Sequence, residues 1–153
     1  MRKFIVLSIV LLMLAGFAIT SSADVVTLYA DQDIDVGTLT VAVVGDNLVV
    51  TYAISSPWVL GDTHLYVGTV APTKSAPGRF PYGPEDAVDG VYTIPLADFG
   101  GATTLYIAAQ AEVTNPAEID PVTSLPREES VWADGDEIRP GKNWAMCFTF
   151  VVD

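Results

Sequence analysis

The chain has 153 residues, half of them hydrophobic, and carries 19 acidic against 7 basic side chains, for a formal charge of −12. That balance works against binding nucleic acid or anionic membranes, both of which need basic surface. One cysteine excludes an internal disulfide framework, and the length is that of one domain able to bury its own core.

At the N-terminus Arg2 and Lys3 precede the apolar run IVLSIVLLMLAGFAI, which is followed by Thr20, Ser21, Ser22 and Ala23. A basic start, a short apolar centre and small residues at positions 21 and 23 describe a secretory signal peptide over residues 1–23. The run 4–19 falls short of the roughly 20 apolar residues of a membrane span. The lone cysteine, Cys147, is far from it, so no lipid-attachment cysteine follows. Cleavage would remove two cations and leave a single domain, 24–153, with a charge of −14 and no membrane span. The expected location is secreted or extracytoplasmic, in the periplasm or at the cell surface.

Beyond residue 23 the apolar residues recur with the period of strands. Runs at 25–30, 36–44 and 48–54 are separated by DQDID and by Gly45-Asp46-Asn47, the latter a hairpin turn. A strand at 64–70 follows, then a long loop with prolines at 72, 77, 81 and 84. Strands at 91–96, 103–113 and 143–152 complete the set, with a shorter one at 130–133. Helical turns are expected only near 84–88 and 95–99. The predicted fold is all-β, an antiparallel β-sandwich of about seven to eight strands with a long Pro-rich loop. In the last strand Trp144, Met146, Phe148, Phe150 and Val152 share one parity, which places the large rings in the core. In 103–113 the parity of Leu105 and Ile107 is inward, so Gln110 and Glu112 face outward.

Five stretches, TLYADQDIDVGTLTV, WVLGDTHLYVGT, APGRFPYG, LYIAAQAEV and ESVWADG…PGKNWAMCFTF, follow one another over nearly all of residues 24–153. In that order they resemble a module of secreted and cell-surface proteins of bacteria and archaea. Its usual run is a Trp, Glu-Thr-His-Leu, Pro-Gly-x-Phe-Pro-Tyr, an alanine strand containing His, Glu-Thr-Ala-Trp and Asn-Trp-Ala. The resemblance implies a surface location and a β fold, and no activity. Asp62 stands where Glu is usual and Gln110 where His is usual, so a role for two histidines does not carry over.

The only histidine, His64, follows Asp62 and Thr63. Catalysis would need a nucleophile within reach, and neither a Gly-x-Ser-x-Gly elbow nor a cysteine–histidine signature is present. Asp62 and Thr63 therefore read as closing the loop after Trp58, with His64 opening a strand. One His and one Cys are too few ligands for zinc. Calcium takes six to eight oxygens, and two acidic turns could supply some of them. The first is Asp134, Asp136 and Glu137 around Gly135; the second is Asp31, Asp33 and Asp35. The second is not an EF-hand loop, because Val36 and Ala42 stand where Gly and Glu are required. Both also read as solvated turns that keep the chain soluble. Paired carboxylates are uninformative among 19 acids, and no catalytic residue is assigned. Tyr82, Trp58 and Trp132 are candidate ligand-stacking aromatics, although the two tryptophans read first as core plugs and Tyr82 is the one expected to be partly exposed. Two functions remain open. One is a non-catalytic cell-surface or extracellular-matrix protein acting by adhesion or self-assembly, with surface components or itself as partner. The other is a carbohydrate-binding module, with or without calcium.

Overall fold

The structure, a computed structural model, describes residues 23–153. The expected signal peptide lies outside them, except for Ala23. The described chain forms β1 (Ala23–Ala30), β2 (Ile34–Val44), β3 (Asn47–Ile54), β4 (Val59–Gly68), β5 (Val91–Pro95), β6 (Thr104–Ile119), β7 (Pro126–Ala133), β8 (Asp136–Glu137) and β9 (Met146–Val151). Three short 3-10 turns, Pro77–Arg79, Pro84–Asp86 and Leu96–Phe99, are the helical content of these residues. All pairings are antiparallel, and the fold is all-β as expected. The ninth strand beyond the expected count is the two-residue β8.

The hydrogen-bonded order is β5-β3-β2-β1-β7-β6-β9-β8, with β4 on the other edge of β6. β6 is long enough to serve two partners along one edge. Residues from Thr104 to Ile107 pair with β9, and those from Gln110 to Ile119 pair with β7. β7 then turns the corner, pairing through Val131, Trp132 and Ala133 with the end of β1. The two parts of the sheet thus face each other across the core. Their contact includes hydrogen bonds: the Tyr52 hydroxyl of β3 lies 3.2 Å from the carbonyl oxygens of both His64 and Gln110. Tyr92 of β5 donates to the Thr63 carbonyl at 3.0 Å, and its oxygen lies 2.7 Å from the Thr63 hydroxyl.

Period-two alternation fills the interior. Leu39 and Val41, Leu48 and Val50, Leu65 and Val67, and Leu105, Ile107 and Ala109 all point inward and are buried. Phe150 is wholly buried and Phe148 packs against the same core, as the parity of the last strand requires. Trp144 does not. Strand β9 begins only at Met146, so the alternation does not extend back to Trp144. It joins a second apolar cluster on the outer face of β6, with Ala108, Trp132 and Ala145 buried and Tyr66, Phe80 and Ile138 against them. The expected loop at 59–63 is also corrected. β4 starts at Val59 and takes a bulge between Leu60 and Thr63, which carries Asp62 out of register and turns Thr63 into the core.

Candidate functional site

On β6 the even-numbered residues face away from the core, and on the neighbouring β4 and β7 so do His64 and Ser130. They form a polar row. His64 and Gln110 are register partners, joined by Nδ1···Oε1 at 3.0 Å. Gln110 donates from Nε2 to Glu112 Oε1 at 2.6 Å, and Ser130 Oγ donates to the same oxygen at 2.9 Å. A carboxylate only accepts, so the Gln110 amide is fixed with its oxygen toward His64. The His64 Nδ1 must then be the donor. Gln110, where the resemblance expects His, faces outward yet is buried, because the loop after β4 and the segment before β9 cover it. Ser75 and Asn143 tie these two segments at 2.7 Å. Beneath them lies a cavity of about 290 Å³ bordered by Gln110, Glu112, Ser130, Trp132 and Trp144. Its groups can hydrogen-bond a polyol. Ser130 has its bond to Glu112 and not to His64, so no nucleophile–base pair is assembled.

Those same covering segments hold four of the chain's seven Lys and Arg side chains. Residues 63–84 and 138–152 contain Lys74, Arg79, Arg139 and Lys142 and not one carboxylate, in a chain with 19 of them. Lys74, Arg79 and Arg139 border a common cavity of about 390 Å³. Beside it an apolar slot of about 210 Å³ is walled by Tyr66, Val70, Pro72, Phe80 and Pro81, with Lys74 and Arg79 at its rim. Its inner wall is rigid: Phe80 stacks edge-on between Tyr66 and Trp132, with centroids 6.0 Å apart in each pair. Burial, then the nearby Cys147, pushes the Tyr66 hydroxyl pKa up. Among the described residues the only ion pairs belong to Arg127, which bonds Glu118 and Glu129 at 2.9 Å each. These bonds hold the Arg127 guanidinium above its ordinary pKa.

At the opposite end of β6 the β6–β7 hairpin projects as an arm. Ile119, Val122 and Leu125 are 57%, 90% and 61% exposed there, although each is large and apolar. The tip is shaped by Asp120, whose carboxylate accepts from the amides of Val122 and Thr123 at 2.7 and 2.9 Å. Those amides, Thr123 first, hold the Asp120 pKa down. A concavity of about 500 Å³ runs under the arm between Ile119, Leu125 and Glu128.

The residues singled out from sequence do not converge. Trp132 is buried in the outer cluster, whereas Tyr82 and Trp58 are partly exposed against the main core. Tyr82 is pinned by backbone bonds in both directions with Leu65, and Trp58 lies under the Arg127 guanidinium, 5.6 Å from its centroid. Asp31 and Asp33 are exposed in the β1–β2 turn and Asp35 at the start of β2, where it accepts from the Gly37 amide at 3.1 Å. Asp134, Asp136 and Glu137 are exposed too, the last two in β8 with alternating directions. No group of three or more His, Cys, Asp or Glu side chains among the described residues is placed to hold a metal ion. Gly135 has a packing reason: a Cβ there would come within 2.3 Å of the Cys147 carbonyl oxygen. The charged slot and the apolar arm were not singled out from the sequence, although the carboxylate-free segments around residues 74 and 139 were a readable signal. No protein-family model, curated protein or solved structure matches this chain.

Proposed function

We propose that this is a non-catalytic extracellular protein of the cell surface or matrix that works by adhesion or self-assembly. The observation that carries the reading is the apolar arm. Ile119, Val122 and Leu125 stand in solvent at the tip of one hairpin, where they serve no core. Clustered exposed apolar side chains of this kind mark an interaction site. The N-terminal segment supports export, and the acidic surface supports solubility of the free subunit. The test is light scattering and cell binding by the chain 24–153 beside its Val122→Asp, Leu125→Asp variant. Loss of self-association or of cell binding in the variant is expected. Equal behaviour of the two proteins, both monomeric and non-binding, overturns the reading.

A second reading is a carbohydrate-binding module, favoured by the cavity that Glu112, Gln110 and Ser130 line beside Trp144. Under it, oligosaccharide raises the melting temperature of the wild type and not of Glu112→Ala.

A further inference from the structure

We propose that copies of this chain join head to tail, the arm tip of one entering the slot between Phe80 and Val70 of the next. This contact rests on the self-assembly reading and gives it a geometry. Three observations converge on it.

The first is shape. Val122 is 90% exposed at the end of a turn that the Asp120 carboxylate holds in place. The slot, about 210 Å³, is apolar on its walls and open at its mouth. An apolar cavity of about 150 Å³ accepts benzene, so this one has room for a valine with part of a neighbouring side chain.

The second is charge. Residues 116–129 carry four carboxylates and one arginine, a net of −3, and Arg127 is already committed within its own arm. The slot is rimmed by Lys74 and Arg79, with Arg139 next to them, and these cations have no ion-pair partner among the described residues. In a molecule this acidic most mutual orientations of two copies are repulsive. Arm against slot is the orientation that brings opposite signs together, which selects the register as well as attracting it.

The third is position. Slot and arm are spaced along one strand: Tyr66 of the slot, on β4, pairs with Ala108 of β6, and the arm begins at Ile119 of β6. At about 3.3 Å per residue those points are roughly 35 Å apart. One copy cannot fill its own slot. Made in one direction the contact is heterologous and repeats from copy to copy, generating a chain or a ring; made reciprocally it would stop at a two-fold dimer, and sedimentation separates the two.

The experiment uses sedimentation velocity on residues 24–153 with two variants, Val122→Asp and Lys74→Glu/Arg79→Glu, each confirmed folded by its melting curve. Where either fails to fold, Val122→Ser or Lys74→Gln/Arg79→Gln takes its place. The wild type is expected to form a concentration-dependent ladder at low ionic strength that weakens as salt shortens the screening length from about 30 to about 10 Å. Each variant alone should associate at least about tenfold more weakly. Mixed in equal amounts, the two should give a 1:1 heterodimer and nothing larger, since one mixture component keeps an intact slot and the other an intact arm. Ladders from both variants equal to the wild type's overturn this contact while leaving self-assembly standing. Loss in the charge variant alone also overturns it and assigns the cations to a different anionic ligand. A wild type that stays monomeric at every concentration removes both the contact and the self-assembly half of the functional reading.

Discussion

At the scale of single residues buried tyrosine hydroxyls add polar ties to a hydrocarbon core. Tyr52 is buried, and its hydroxyl reaches two carbonyls on the opposite part of the sheet. Burial, with Tyr92 adding a smaller repulsion, pushes the Tyr52 pKa well above its ordinary value. A raised folded pKa means that the folded state keeps its proton longer than the unfolded state. The associated stability is complete below the unfolded value of about 10 and is lost as the pH climbs beyond it. Tyr52→Phe should cost about 1 kcal/mol at neutral pH, the worth of one hydrogen bond. It should also flatten the fall in melting temperature above about pH 10, which tyrosinate absorbance recorded with the melt would follow. The His64 carbonyl is one of the Tyr52 acceptors, whereas its side chain lies on the other face of the sheet and bonds Gln110. Its replacement by Gln should cost no more than about 1–2 kcal/mol in a denaturant titration, because an amide can keep that bond. Phe150→Ala, which empties a wholly buried site, should cost about 3–5 kcal/mol by the same measurement.

At the scale of elements one close backbone approach fixes how β2 lies against β3. Gly37 has φ of +150°, and a Cβ on it would sit 2.0 Å from the Ala53 carbonyl oxygen of β3. That φ is open essentially to glycine alone, and the obstruction is backbone, which cannot swing aside. Gly37→Ala should therefore lower stability by more than about 3 kcal/mol, read as a fall in denaturation midpoint with unchanged slope. β6 is the other decisive element. Its 16 residues hold β4, β7 and β9, and its ends carry the two poles of the proposed assembly.

For the whole molecule the distribution of charge matters more than its sum. Among the described residues the acids are spread over turns and the arm, while the cations without an ion-pair partner gather on the loops covering the outer face. With no group of three metal-ligating side chains among the described residues, divalent ions should act by screening alone. Thermal melts in calcium and in magnesium at equal concentration are expected to coincide. A calcium-specific rise in melting temperature would restore the turn at Asp134, Asp136 and Glu137 as a site.

Strand identity was legible in the sequence because a half-buried strand must alternate. The inward parity of Leu105, Ile107 and Phe150 followed from a period of two and needed no neighbours. The all-β fold class and the outward direction of Gln110 and Glu112 came from the same local rule, and the β2–β3 turn from the turn residues Gly45-Asp46-Asn47. Parity ends where a strand ends, however, and the start of β9 at Met146 is set by its pairing with β6 and β8, so Trp144 could not be placed by counting. The burial of an outward-facing Gln110 was likewise invisible, since it depends on which distant loops fold over that face. The slot has the same origin. Lys74 and Arg139 are far apart in sequence and meet only because the loops that carry them are tied together at Ser75 and Asn143 and laid on Tyr66 and Trp132. Local periodicity determines the strands and their faces, which are properties of neighbouring residues. Only the tertiary structure could bring the two carboxylate-free segments together and set them apart from the acidic arm, because charge adds along a chain without regard to place and attracts only where the fold has put it.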